Sequence, residues 1–283
     1  MTRSTSGDRP EALEAAPQEG PGPMTLPKLS ELGSDLLVTT RPRRALTLSL
    51  PYAGVAMFAA AWLAGWWWAT PPIAFGIFVA VVTATHDVVH RSLGLGRRAT
   101  EWALFLLGGV LLESGHAYRA THLQHHRTFP SDEDPEGYPA DLSAVGAILY
   151  GPVFLARLWW WAFRRGRTAQ RAWLVAEAAL PFTAVAAGAA FSRGLLVYAV
   201  MMIVGSWVYP LLTVHLPHRH YGDTPLTQTH TLRGRVIPAV FLELTYHLEH
   251  HLYPQVPSHH LARLARRLDP VLAEAGVKPR KVI

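Results

Sequence analysis

Four stretches of this chain are apolar for long enough to cross a bilayer, and they fall into two pairs. Residues 45–68 and 71–85 make the first pair, and residues 172–191 and 194–213 the second. A spanning helix needs about 20 apolar residues; the second run reaches that length by continuing past Thr85. Trp66, Trp67 and Trp68, followed by Pro71 and Pro72, give the first pair a short uncharged turn of the aromatic kind that collects at membrane interfaces. Ser192 and Arg193 join the second pair. Two further apolar runs do not fit a span. Residues 103–112 are too short and lead into Glu113 and His116, which predicts a re-entrant or interfacial helix. Residues 149–163 end in Trp159, Trp160, Trp161 and then Arg164 and Arg165, which predicts an amphipathic helix lying on the membrane.

The placement of charge orients these spans. Within the two hairpin turns Arg193 is the one basic residue. The rest lie before the first span, in the central loop (Arg91, Arg97, Arg98, Arg119, Arg127, Arg164, Arg165, Arg167, Arg171) or in the C-terminal part. The positive-inside rule makes those three regions cytoplasmic, with both termini inside. The expected fold is therefore an all-α integral membrane protein, with four transmembrane helices in two hairpins and a cytoplasmic helical cap. Residues 1–35, rich in Pro, Glu, Gly and Ser, read as a disordered N-terminal tail with no signal peptide, and residues 36–283 as one domain.

Composition agrees. The 283 residues are 50% hydrophobic and only 16% charged, against about 25% charged in soluble domains, and the mean hydropathy is +0.14. The net charge of +6 forms no isolated basic face, so nucleic acid is not an expected partner. With no cysteine, disulfides, thiolate metal sites and iron–sulfur clusters are excluded.

Three polar stretches interrupt this background: THDVVH, THLQHH and YHLEHH. They place His86 and His90 at i, i+4, and His122, His125 and His126 at i, i+3, i+4. His247, His250 and His251 repeat the second pattern. At about 100° per residue each set shares one side of a helix. Neutral imidazole is the commonest ligand for transition metals. Eight such donors exceed the four of one tetrahedral site and suit two ions side by side. All three sets also fall on the predicted cytoplasmic side, although they played no part in orienting the spans.

HDVVH, HLQHH and HLEHH in this order resemble the three histidine boxes of the membrane fatty acid desaturase superfamily, over residues 85–268 or so. That superfamily holds acyl desaturases, carotenoid hydroxylases and ketolases. The resemblance implies a non-haem di-iron centre that uses O2 as co-substrate, with two Fe ions held by these histidines. It also implies a further ligand at the end of the last span, where VHLPHRHYGD supplies His215, His218 and His220. LPHR resembles the equivalent place in bacterial carotenoid hydroxylases and ketolases, which makes His218 the ninth ligand. His215 reads as a core or outer-shell histidine and His220 as solvent-facing.

Ligating imidazoles usually give their second N–H to a carboxylate or carbonyl. Asp87, Glu113, Asp132, Asp134, Glu243 and Glu249 are the nearby candidates. The run Asp132, Glu133, Asp134, Glu136 reads as a solvated acidic loop, and Glu249 as structural. His116, six residues before His122, points about 120° off the ligand face. His230, His259 and His260 match no box. Ser258 is expected to cap a basic amphipathic helix over residues 259–268 lying against lipid headgroups.

The implied reaction is oxidation of an unactivated C–H bond in a long apolar lipid entering from the bilayer. Hydroxylation or ketolation of a carotenoid ring is favoured by LPHR and by DEDPEG close after HLQHH. Acyl-chain desaturation is the alternative, because HLEHHLYPQVP also resembles the desaturase third box. No haem or flavin motif is present, so an external donor such as ferredoxin is required, and Arg164, Arg165, Arg167, Arg263, Arg266 and Arg267 offer an acidic carrier a docking face. A His-rich transporter would place polar ligands near mid-membrane. The spans carry none centrally, with Glu177 near one helix end. A metal-binding sensor without turnover remains the other reading.

Overall fold

The computed structural model describes residues 26–283, and among these the chain is almost entirely helical. Helix Arg41–Leu63 opens with Thr40, whose hydroxyl accepts from the Arg43 N–H, and with Pro42 in its first turn. Both features suit a helix start. Helix Thr70–Val89 returns alongside it and carries Pro71 and Pro72 at its beginning. This second helix is the axis of the molecule: 78% of its apolar stretch is buried in protein, against 17–28% for the other long helices. Its last turn holds His86 and His90, at the edge of the main hydrophobic cluster.

Among the described residues, five helical segments are long and apolar enough to cross a membrane by length and composition: Arg41–Leu63, Trp67–Val89, Ala144–Arg165, Thr168–Phe191 and Arg193–His218. Ala144–Arg165 contains the run expected to lie on the membrane surface. It is continuous from its Ser143 cap and apolar on two sides. Ala147, Gly151, Phe154, Leu158 and Ala162 are buried, while Val145, Ile148, Leu149, Val153 and Trp160 are exposed. The last two segments form a close hairpin across Ser192. A side chain at Gly188 would meet the Leu196 backbone, so only glycine allows this approach. Toward its end the final segment widens into a π-helical stretch, Pro210–His215, before Leu216–His218.

The second histidine set lies on Gly115–Thr128, which follows helix Arg97–Leu111 across a sharp elbow with Leu112 left-handed at φ 61°. A Cβ at Gly115 would collide with the Leu104 carbonyl, so glycine lets the two helices close on each other. In the elbow the half-buried Glu113 carboxyl bonds to the Ser206 hydroxyl. Burial raises its pKa to about 7, with the Ser206 bond opposing. A raised carboxyl binds more protons folded than unfolded, so this contribution to stability is present below about pH 4.5 and is lost as pH rises through about 7. Glu113→Gln is accordingly expected to raise stability at pH 8 by ~1–3 kcal/mol and not at pH 4. Thermal unfolding in detergent at both values checks it.

Two expectations for the chain ends need correction. Residues 1–25, most of the expected disordered tail, lie outside the described residues. Residues 26–35, assigned to the same tail, are folded: Leu29–Leu32 is a helical turn, and Leu32 and Leu36 are buried. Their partner is the C-terminal helix, Leu261–Glu274, longer than expected. Its apolar side, Leu261, Leu264, Ala265, Leu268 and Leu272, packs on Leu32, Leu36, Tyr246 and Leu248 rather than on lipid. The moment that reads as membrane-seeking is satisfied inside the protein. Asp35 pairs with Arg263 and Arg267 across this contact, and the Arg267 hydrogen bond first among causes lowers its pKa to about 2. Parallel two-residue strands, Leu232–Arg233 and Arg280–Lys281, tie down the C-terminal end.

Candidate metal centre

The nine predicted histidines meet in one place. His86 and His90 come down on the central helix, and His122, His125 and His126 rise from Gly115–Thr128. His218 ends the last long segment, and His247, His250 and His251 line the short helix His247–Leu252. The ligating atoms of His86, His90, His122 and His250 lie within 4.8 Å of one another, and so do those of His125, His218, His247 and His251. His126 joins the first group, its Nε2 3.2 Å from that of His122 and 2.8 Å from that of His250.

The outer nitrogens say what belongs between them. His125 gives its Nδ1–H to Asp134 at 2.6 Å, and His218 gives its own to the Gln228 carbonyl at 3.0 Å. A carbonyl only accepts, so His218 carries its proton on Nδ1 and Nε2 is a bare lone pair. That lone pair faces Nε2 of His125 at 3.2 Å and Nε2 of His247 at 3.0 Å. With His125 also keeping its proton on Nδ1, two lone pairs face each other there and suit a cation between them, and all-imidazole donor sets suit transition metals. The first group behaves alike. His122 turns Nδ1 toward Glu136 at 3.3 Å, and Nε2 of His86 and His250 approach to 2.9 Å. Burial first, and neighbouring imidazoles second, push His90, His122, His126, His250 well below their ordinary pKa. His247 and His251 are shifted the same way. Neutral rings are the form that binds metal. His125 is the exception: burial depresses it, but the Asp134 hydrogen bond and charge outweigh that and raise it.

The carboxylates sort differently from expectation. Asp132 and Glu133 are solvated, as an acidic loop should be, but Asp134 and Glu136 are buried. Turned inward, Asp134 accepts from His125 and from the Glu136 N–H, and Glu136 accepts from the Thr121 hydroxyl. Burial raises Glu136 to about 7, opposed by the His125 charge. Glu249 has the structural role read from its position: it is fully buried and paired with Arg233, which also binds Asp269. Ser258 does not cap its helix. Its N–H and hydroxyl both donate to Asp87, 2.9 and 2.7 Å away, which ties the end of the first box to the segment after the third. Glu243 touches no site histidine among the described hydrogen bonds, and Glu113 serves the elbow.

The remaining histidines stay outside. His215 bonds to the Pro139 carbonyl, His230 to the Arg219 carbonyl and His260 to the Leu36 carbonyl. His220 is exposed and left-handed at φ 59°. His116 lies off the ligand face, between Glu101 and Glu177. The Gln228 carbonyl was beyond sequence reasoning, since a backbone group carries no residue signature. Glu136 was within reach: two inward carboxylates in DEDPEG, so close after HLQHH, match the outer partners that ligating imidazoles need.

Beside the histidines lies a cavity of about 210 Å³. Phe78, Val82, Tyr209, Leu212, Ile237 and Phe241 supply most of its apolar wall, and His86, His122, His125 and His247 line it as well. No curated protein matches the chain. Residues 64–282, well over half of it, match the family described as fatty acid desaturase. That match spans all three boxes and every histidine of both groups, and the chain belongs to the fatty acid desaturase family of oxidoreductases.

Proposed function

We propose that this protein is an O2-dependent di-iron oxidoreductase of the membrane, oxidising C–H bonds at the end of a long apolar lipid. Hydroxylation or ketolation of a carotenoid ring is the favoured reaction. The observation that carries this reading is the mostly apolar cavity lined by four of the histidines. At about 210 Å³ it is smaller than the roughly 300–1,000 Å³ that encloses a whole drug-sized ligand. It suits the reacting end of a lipid whose remainder lies in the bilayer. Leu216 and Pro217 of LPHR line it, so the stretch that resembles carotenoid enzymes stands at the substrate wall.

His86, His90, His122, His126 and His250 would hold one iron, and His125, His218, His247 and His251 the other. Iron bound there supplies O2 activation and C–H oxidation. The chain's own part is to fix the imidazole tautomers through Asp134, Glu136 and Gln228, and to keep water from the cavity. Electrons come from an external carrier such as ferredoxin. Because Arg263 and Arg267 are taken by Asp35, the docking face for an acidic carrier reduces to Arg164, Arg165, Arg167 and Arg266.

Four crossings and a cytoplasmic site fit best. Nε2 of His86 lies 2.9 Å from Nε2 of His250, so an even number of crossings must separate the two boxes. That supports the reading in which helix Ala144–Arg165 lies along the membrane while the flanking hairpins cross it, with both termini and the site on the side the positive-inside rule makes cytoplasmic. Expression in a β-carotene-accumulating bacterium with a ferredoxin system, profiling pigments and fatty acids together, tests the substrate. Hydroxylated or keto carotenoids are expected. Unchanged pigment beside a new unsaturated acyl chain would replace this reading with the desaturase.

A further inference from the structure

A second buried polar cluster sits away from the histidine groups. His116 is buried on the same helix as His122 but off its ligand face. Its Nδ1 lies 2.7 Å from Glu177 and its Nε2 3.1 Å from Glu101. The ring stacks on Trp173, centroids 4.9 Å apart and planes within 8°. Glu101 also takes both guanidinium nitrogens of Arg119, at 2.7 and 3.0 Å. The second Glu177 oxygen accepts from the Ser114 hydroxyl at 2.5 Å.

Accessibility falls along this line. The Glu101 side chain is 26% exposed, that of His116 2% and that of Glu177 0%. Burying a carboxylate and an imidazole together is costly unless each is paired, and here each is paired with the next. An imidazole with a carboxylate at both nitrogens can release a proton on one side and regain it on the other. The stacked indole favours the charged ring while it waits. Past Ser114 lies a cavity of about 20 Å³, lined by Ser114, Glu113, Thr85, Tyr118 and Tyr209. That is room for one water, since about 10–15 Å³ suffices. The Thr85 hydroxyl is buried there without a partner. Tyr118 and Tyr209 also wall the larger cavity at the histidines, and Tyr118 stacks on His122 at 4.8 Å.

We propose that Glu101, His116, Glu177 and Ser114 form a proton-entry relay, from the protein surface through a one-water cavity to the wall of the histidine-lined site. The idea rests on the O2-dependent reading above. That reaction needs protons whichever branch it takes. A lipid C–H, one O2, two electrons and two protons give an alcohol and one water. Two adjacent lipid C–H bonds, one O2, two electrons and two protons give a double bond and two waters. The electrons come from the one-electron carrier and the protons from solvent, and the lipid cavity, mostly apolar in its wall, is a poor way in for them. The relay offers a polar one: Glu101 takes a proton from water, His116 passes it from Nε2 to Nδ1 by exchange, and Glu177 hands it through Ser114 to the water.

The test compares wild type, His116→Gln, Glu177→Gln and Glu101→Gln, each as the full chain loaded with iron in detergent. Proton uptake on chemical reduction, read with a pH dye and without lipid, is expected to slow at least ~10-fold in the variants, while metal content and final uptake match wild type. Turnover with lipid should fall in step, with a larger solvent deuterium isotope effect, and imidazole added to His116→Gln should restore part of it. Variants that hold full metal yet take up protons and turn over at the wild-type rate would overturn the relay. So would losses that merely track falling metal content or melting temperature; Glu101→Gln, at the half-exposed end, keeps the buried pair intact against that outcome. A wild-type protein that consumes no O2 with any lipid refutes the functional reading instead, and is seen before any variant is compared.

Discussion

The His250→Ala protein is expected to lose metal and turnover together. His250 is 1% exposed and its Nε2 stands between those of His86 and His126, at 2.9 and 2.8 Å. Removing even an outer partner of a ligand costs about 10–100-fold in affinity or activity. Removing the ring itself should cost more than ~100-fold in turnover and leave fewer than two irons per chain. Membrane insertion should be unaffected, because the spans are complete before residue 250. Metal analysis alongside product assay decides it, and a His250→Ala protein with near-normal turnover would dismiss the proposed ligand set.

Asp134→Asn is expected to weaken metal binding about 10–100-fold, although Asp134 touches no ion. The substitution keeps the shape but can present an amide N–H to His125 Nδ1, which favours the tautomer whose Nε2 is protonated and cannot ligate. Its neighbour provides the control. Glu133 is exposed on the same loop, and Glu133→Gln should leave metal affinity and turnover within error of wild type. Competition with a chelator, followed spectroscopically, separates the two variants. Equal behaviour would mean that the 2.6 Å contact to His125 does not tune the site.

The histidines were legible in the sequence because their signal is local. An i, i+3, i+4 spacing reports one helix face, and His122, His125, His126 and His247, His250, His251 need nothing else to be recognised. His218 has no such spacing and was reached only through the resemblance of LPHR. What escaped the sequence is whatever depends on a partner distant along the chain. Asp134 and Asp132 are two residues apart and chemically identical, yet one is buried against His125 and the other solvated. The amphipathic helix Leu261–Glu274 carries the pattern of a membrane-surface helix. Its apolar side is covered by Leu32 and Leu36, more than two hundred residues earlier. Periodicity states that a face must be covered, and only the fold states by what. Helix Ala144–Arg165 shows the same limit in composition: it qualifies as a span by length and hydropathy, and the number of crossings is constrained by where the boxes meet.

The clasp between the two chain ends has a consequence for how the protein is made. Tyr253 donates to the Pro27 carbonyl, 226 residues away in sequence, and His86 meets His250 across 164. A chain emerges from the ribosome N-terminus first. His86 and His90 are therefore synthesised and inserted long before His247, His250 and His251 exist, and the segment around Pro27 waits for its partner until Tyr253 has been made. A growing chain holds at most part of either group of four. In the proposed reading metal loading waits until His251 has been made, and a chain stopped before residue 244 carries only part of the proposed ligand set.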